Sequence, residues 1–295
     1  MGLIMLLTSL VTPFHEDSSV DWKSFEKLVE FQLKSPIDGI VVLGTTAETL
    51  ALTLDEQNKI IYTVLRVREK LELPDKKIFM GVLDVATHRV VEKMKLANQL
   101  SVDGYLVAAP AFGGMDQKSV IAHFLACDHA STKDIMMYNI PERTGVNILP
   151  ITMANIIRKS KHVRLVKEAS GHLSQMMDLV YLSQELGLKV QILTGTDEFM
   201  YPSLMLGGNG AVSIVANIKP KEVASLIHRP KLEKHYKLLP MIRQCSEHSI
   251  GPAPVKDLLQ KAGIISTNQV RLPLFKITIN EKDVEKEDEI DQSKD

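Results

Sequence analysis

The sequence predicts an α/β chain folded as a (β/α)8 barrel, the TIM-barrel architecture, with a small C-terminal helical appendage. Three observations carry this. Short apolar runs and helix-period segments alternate about eight times along the 295 residues. Several of the runs are continuously apolar, as strands covered on both faces of a parallel sheet must be. No G-x-G-x-x-G follows the first run, which weakens an open dinucleotide-binding sheet.

The strands are read in order as LLTSLVTP from Leu6, GIVVLG (Gly39 to Gly44), IFMGV (Ile78 to Val82) and GYLVAAP (Gly104 to Pro110). IMMYNI (Ile135 to Ile140), RLVKEAS (from Arg164), VQILTG (Val190 to Gly195) and GAVSIVAN (Gly210 to Asn217) complete the set. In DWKSFEKLVEFQL, the residues Trp22, Phe25, Leu28 and Val29 fall on one helical face. TLDEQNKIIYTVLRV opens with Thr53 and has Glu56 three residues on, a capping box. THRVVEKMKLANQL, DQKSVIAHFLACDHA and HLSQMMDLVYLSQEL continue the helical pattern. After Asn217 the alternation stops, and three helical stretches separated by Pro220, Pro230 and Pro252 follow. The expected division is a barrel over 1–225, a helical region over 226–280 and a highly charged tail over 281–295 without an apolar face.

Composition narrows the function classes. Hydrophobic residues at 45%, charged residues at 24% and a net charge of −1 describe a soluble globular protein with no basic field for nucleic acid. No apolar run reaches the roughly 18 residues that a membrane span needs. The apolar N-terminus lacks a basic n-region and a small-residue cleavage signal, so it reads as a first strand. Cys127 and Cys245 form no C-x-x-C pair, which fits a reducing compartment, and a cytoplasmic location is expected. None of the nine histidines has metal-ligand spacing, so no metal site is assigned.

The residue that stands out is Lys167, inside an apolar strand. With a period of two, Leu165, Lys167 and Ala169 point one way, and Arg164, Val166 and Glu168 the other. Neither face of a barrel strand is a cheap home for an ammonium. A lysine there either pairs with a carboxylate at the rim or serves as a nucleophile. Burial favours the neutral amine, which attacks a ketone, and the resulting iminium withdraws electrons from the adjacent carbon. Active-site groups of such barrels gather at the C-terminal strand ends. There Thr45 and Thr46 follow Gly44 and can hold a carboxylate or cap a helix. Tyr138 can donate a proton or pack in the core, and Arg143, after a proline turn, can grip a carboxylate or lie on the surface.

Together these residues resemble the dihydrodipicolinate synthase / N-acetylneuraminate lyase family of class I pyruvate aldolases. The family's G-T-T-G-E is similar to Gly44-Thr45-Thr46-Ala47-Glu48, and its Y-N-x-P-x-R-T-G to Tyr138 through Gly145. Its K-E-A-S-G is matched letter for letter from Lys167 to Gly171. TSLVTPF near the start, GTDEFMYPSLMLGGNGAVS (Gly195 to Ser213) and PAPVKDLL (Pro252 to Leu259) also fit, in order, to about Leu274. The resemblance implies a barrel without metal or organic cofactor, assembled as a homotetramer that is a dimer of dimers. It implies a Schiff base between Lys167 and pyruvate, a carboxylate site at Thr46, and Tyr138 as general acid/base in a hydroxyl relay with Thr45. Arg143 would receive the carboxylate of the small aldehyde substrate, L-aspartate 4-semialdehyde, and Gly195 and Val212 would present backbone carbonyls near the lysine. A pyruvate-releasing aldolase on a 2-keto-3-deoxy sugar acid or sialic acid, and a non-catalytic binding protein on the same scaffold, are the alternatives.

Three positions depart from the family pattern. Pro110-Ala111-Phe112 replaces P-Y-Y, whose second tyrosine crosses the dimer interface to complete the relay, so Phe112 keeps the ring and lacks the hydroxyl. Val85-Ala86-Thr87-His88-Arg89 replaces the N-A-T-x-E of lysine-inhibited synthases, so no lysine inhibition is expected. Ala47 replaces a glycine, which is costly only if that position needs a positive φ.

Overall fold

The computed structural model describes residues 4–246 and 251–279. The expected tail over 281–295 lies outside the described residues. Eight parallel strands close in sequence order into a barrel, β1 pairing with both β2 and β8. They are β1 (Met5–Ser9), β2 (Gly39–Val42), β3 (Lys77–Gly81), β4 (Gly104–Ala108), β5 (Asp134–Asn139), β6 (Val163–Glu168), β7 (Gln191–Thr194) and β8 (Gly210–Ser213). The alternation of side chains sorts each strand into two cores. Leu7, Val41, Phe79, Leu106, Met136, Leu165, Leu193 and Val212, one from each strand, fill the interior. Their neighbours Leu6, Ile40, Ile78, Val107, Met137, Val166, Ile192 and Ala211 face the helical layer. Both faces are dry, and this is why the runs are continuously apolar.

The helices that follow the strands are α1 (Trp22–Leu33), α2 (Leu54–Lys70), α3 (Thr87–Ala97), α4 (Gln117–Ala130), α5 (Pro141–Thr144), α6 (Pro150–Lys159), α7 (Leu173–Glu185), α8 (Met200–Met205) and α9 (Pro220–His228). The Thr53–Glu56 capping box of α2 is formed in both directions, and Asp21 and Asp116 cap α1 and α4. No helix is expected from the sequence between β5 and β6, yet α5 and α6 lie there. Each opens on a proline at its first turn, and α6 buries Met153, Ile156 and Ile157. The run GAVSIVAN is shorter as a strand than expected. After Ser213, the Asp197 carboxylate accepts from the Ile214 and Val215 N–H groups, and Ser213 Oγ from that of Ala216, which turns the chain into a 3₁₀ helix at Val215–Asn217.

The appendage consists of α10 (Leu232–Ser246) and α11 (Ala253–Lys261). Residue 225, the expected end of the barrel, falls inside α9. The segment after α11 returns to the barrel. Thr267 Oγ1 donates to Phe14 O, and Arg271 forks onto Glu56 through Nη1 at 2.7 Å and Nη2 at 2.6 Å. No helix among the described residues is long and apolar enough to cross a membrane.

Candidate active site

The C-terminal ends of the strands open into a cavity of about 240 Å³. Thr45, Thr46, Tyr138, Arg143, Lys167 and Gly195 all line it. The fold thus brings together six residues spread from position 45 to position 195 of the sequence.

Lys167 stands on the interior side of β6, in line with Leu165 and Ala169, and is 2% exposed. Its strand end is fixed from the outer side by Glu168. One carboxylate oxygen accepts from Asn139 Nδ2 at 3.0 Å and Gln175 Nε2 at 3.1 Å, and the other from Ser170 N at 2.7 Å. The neighbouring strand carries Tyr138 at the paired position, and Lys167 Nζ lies 4.3 Å from the centre of its ring. The π-face of the ring thus meets the head group of the lysine directly. Gly195 packs directly on the lysine stem. A Cβ there would come within 2.7 Å of Lys167 Cε, so only glycine leaves room for the side chain.

Thr45 and Thr46 belong to a 3₁₀ turn at Thr45–Ala47 that follows β2. Thr45 Oγ1 lies 3.3 Å from Tyr138 Oη, a hydroxyl pair in which either atom can donate. Thr46 Oγ1 accepts from Ser9 Oγ, at the end of β1, at 3.0 Å. Ala47 sits within the turn, and the left-handed residue is its neighbour Glu48, at φ 56°. The alanine is therefore unstrained, which explains why glycine is dispensable there. Arg143 rides on α5, a single helical turn started by Pro141 and ended by Gly145 at φ 71°. This holds the guanidinium at the cavity mouth.

Two expected residues stand apart from the cavity wall. Val212 belongs to the barrel interior, and the wall just past that strand is made by Ile214. Phe112 is 96% exposed, at φ 65°, and does not line the cavity of its own chain.

Several lining groups had no part in the sequence reading. Asp197 opens the 3₁₀ turn that follows β7, and burial pushes its carboxyl up against the opposing pull of Ser213, of the Val215 and Ile214 N–H groups and of the Lys167 charge. Its Oδ1 has no hydrogen-bond partner among the described residues, which leaves a buried acceptor in the wall. Glu142 and Glu198 add acidic groups, and Ile242, Cys245 and Ser246 bring α10 over the opening. The signal for Asp197 was its place two residues beyond Gly195. That for Ser9 was a hydroxyl at the end of the first strand. Among the described residues no group of three or more His, Cys, Asp or Glu side chains is placed to hold a metal ion.

The arrangement suits carbonyl chemistry: a buried amine, a phenol beside it, a second hydroxyl behind the phenol, and a guanidinium at the mouth. Residues 3–292 match the model of the dihydrodipicolinate synthetase family. A 4-hydroxy-tetrahydrodipicolinate synthase of Parabacteroides distasonis is 35% identical over 274 residues, covering 90% of this chain and 89% of that protein. The crystal structure of dihydrodipicolinate synthase from Thermotoga maritima superposes with a TM-score of 0.88 at 30% identity, covering 96% of this chain and 95% of that one. That of the enzyme from Cyanidioschyzon merolae with lysine bound superposes with a TM-score of 0.87 at 26% identity, covering 97% and 96%.

Proposed function

The chain belongs to the dihydrodipicolinate synthetase family of lyases, and we propose that it condenses pyruvate with L-aspartate 4-semialdehyde to give 4-hydroxy-tetrahydrodipicolinate. The observation that carries this reading is the buried Lys167 amine against the Tyr138 ring, with Arg143 at the mouth of the same cavity.

In this reading Lys167 Nζ attacks the C2 carbonyl of pyruvate and water leaves, forming an iminium. Thr46 and the N–H groups of its turn receive the pyruvate carboxylate. Loss of a C3 proton gives the enamine, whose carbon bonds to the aldehyde carbon. Tyr138 delivers a proton to the aldehyde oxygen as it becomes a hydroxyl and is resupplied through Thr45. Arg143 holds the carboxylate of the semialdehyde in a two-pronged contact. The amine of the semialdehyde then displaces Lys167 from C2, which closes the ring and frees the enzyme. Product formation from pyruvate plus the semialdehyde tests the reaction; activity only on a sugar acid contradicts it.

Two finer points follow from residues of this chain. Arg89, 60% exposed at its side chain and 3.9 Å from Asp84, stands where lysine-inhibited synthases are expected to carry glutamate, and this supports an enzyme indifferent to lysine. Phe112 presents a whole aromatic ring to solvent from a left-handed backbone, which supports assembly with further copies, expected as a dimer of dimers. Sedimentation at micromolar concentration tests this: only monomer would contradict it.

A further inference from the structure

The turn that carries Thr45 and Thr46 is tied to the C-terminal appendage by a charge pair sealed from solvent. Lys256, on α11, has no exposed surface, and its Nζ donates to Glu48 Oε1 at 2.5 Å and to Gln269 O at 2.9 Å. Glu48 Oε2 accepts from Arg271 N at 2.8 Å, so both carboxylate oxygens are held by the appendage side of the molecule. The Lys256 ammonium also lies 4.1 Å from the centre of the Phe14 ring.

Such a pair is a poor device for stability alone. Its desolvation cost rivals its attraction, and an apolar pair of the same shape often does as well. What it does hold is an unfavourable backbone. Glu48 follows the Thr45–Ala47 turn directly and sits at φ 56°, ψ 36°, a conformation that a residue with a Cβ resists. In that conformation its N–H donates to Thr45 O and its C=O accepts from Ala51 N. The same turn is braced by Thr12 Oγ1 on Ala47 O and Thr49 Oγ1 on Gly44 O. Fixing the Glu48 carboxylate therefore fixes how the chain leaves Thr46.

We infer that Lys256 and Glu48 are positioning residues for the pyruvate-carboxylate site: the buried pair locks the end of the Thr45–Thr46 turn, and the appendage thereby sets the geometry of a barrel strand end. The inference rests on the reading that Thr46 receives the pyruvate carboxylate.

Borohydride trapping at graded pyruvate concentrations, alongside steady-state kinetics, tests it on the full chain. Glu48→Asp keeps the charge and shortens its reach by one methylene. Lys256→Met removes the ammonium and keeps the length. Each is expected to raise the pyruvate concentration at half-saturation at least about fivefold, while kcat at saturating pyruvate and KM for the aldehyde stay within about threefold. The double variant Glu48→Gln/Lys256→Met, which leaves no buried charge unpaired, is expected to recover part of the Lys256→Met loss. A smaller rise in Glu48→Asp overturns the inference, whether or not Lys256→Met folds. Thr46→Val separates the two levels. A raised half-saturation in Thr46→Val with none in Glu48→Asp overturns the positioning role alone. No change in Thr46→Val overturns the carboxylate reading beneath it.

Discussion

Tyr138 and Lys167 are register partners on adjacent parallel strands, and the lysine nitrogen lies 4.3 Å from the centre of the tyrosine ring. Strand pairing therefore places the proposed acid/base beside the proposed nucleophile, with both backbones held in the barrel ladder.

Tyr138→Phe keeps the ring that faces Lys167 and removes the hydroxyl that meets Thr45. A positioned proton donor contributes about 10² to 10⁴ in rate, so kcat is expected to fall by that factor with the fold intact. Turnover within about fivefold of the parent would remove Tyr138 from the proton path.

Arg143→Gln removes a charged fork from the cavity mouth and leaves the lysine pocket alone. A charge-assisted contact is worth about 1.5–3 kcal/mol, so kcat/KM for the aldehyde is expected to drop about tenfold to a hundredfold. Half-saturation of imine trapping by pyruvate is expected to stay within about twofold. Equal losses toward both substrates would place Arg143 elsewhere in the account.

Free lysine, titrated to millimolar concentration, is expected to leave the initial rate unchanged, because Arg89 repels its ammonium. Saturable inhibition would show that the altered 85–89 segment still recognises it.

His123 makes one acid-sensitive contribution to stability. It is buried, with Nε2 donating to Ala108 O at 3.1 Å and Nδ1 accepting from Thr87 Oγ1 at 3.0 Å, and burial holds it down at about 4 against an ordinary 6.5. Between those values the unfolded chain takes a proton that the folded protein refuses. The contribution of His123 to stability is therefore full above about 6.5 and lost as pH falls toward 4, by up to ~3 kcal/mol. Denaturant midpoints measured from pH 7 to pH 4.5 should decline, and less steeply in His123→Gln. Parallel declines in both proteins would assign the acid sensitivity to other groups.

How much of this was legible in the sequence differs residue by residue. Lys167 was legible because a charge in a doubly covered apolar strand violates the local pattern, and its facing followed from the period of two. The eight strands were legible for the same reason of double coverage. Helix α6 is harder to read: Met153, Ile156 and Ile157 carry its period, but over only 10 residues, too few for the pattern to stand clear of the segment before it. The contact of Thr45 with Tyr138 depends on how strands 93 residues apart converge, and no local pattern encodes that. Asp197 looks like any loop acid until the turn after β8 buries it under two backbone N–H groups. Lys256 and Glu48, 208 residues apart, read separately as a helix lysine and a motif glutamate. The left-handed position in the turn was one residue away from where the missing glycine suggested it.

The measurement that bears most directly on the central claim is reduction by borohydride in the presence of pyruvate, followed by intact mass and peptide mapping. The account expects one pyruvate-sized reduced adduct per chain, on Lys167, and its loss in Lys167→Ala. Folded protein that gains no adduct, or gains it on another lysine, would contradict the claim that Lys167 stands in its strand to form an imine.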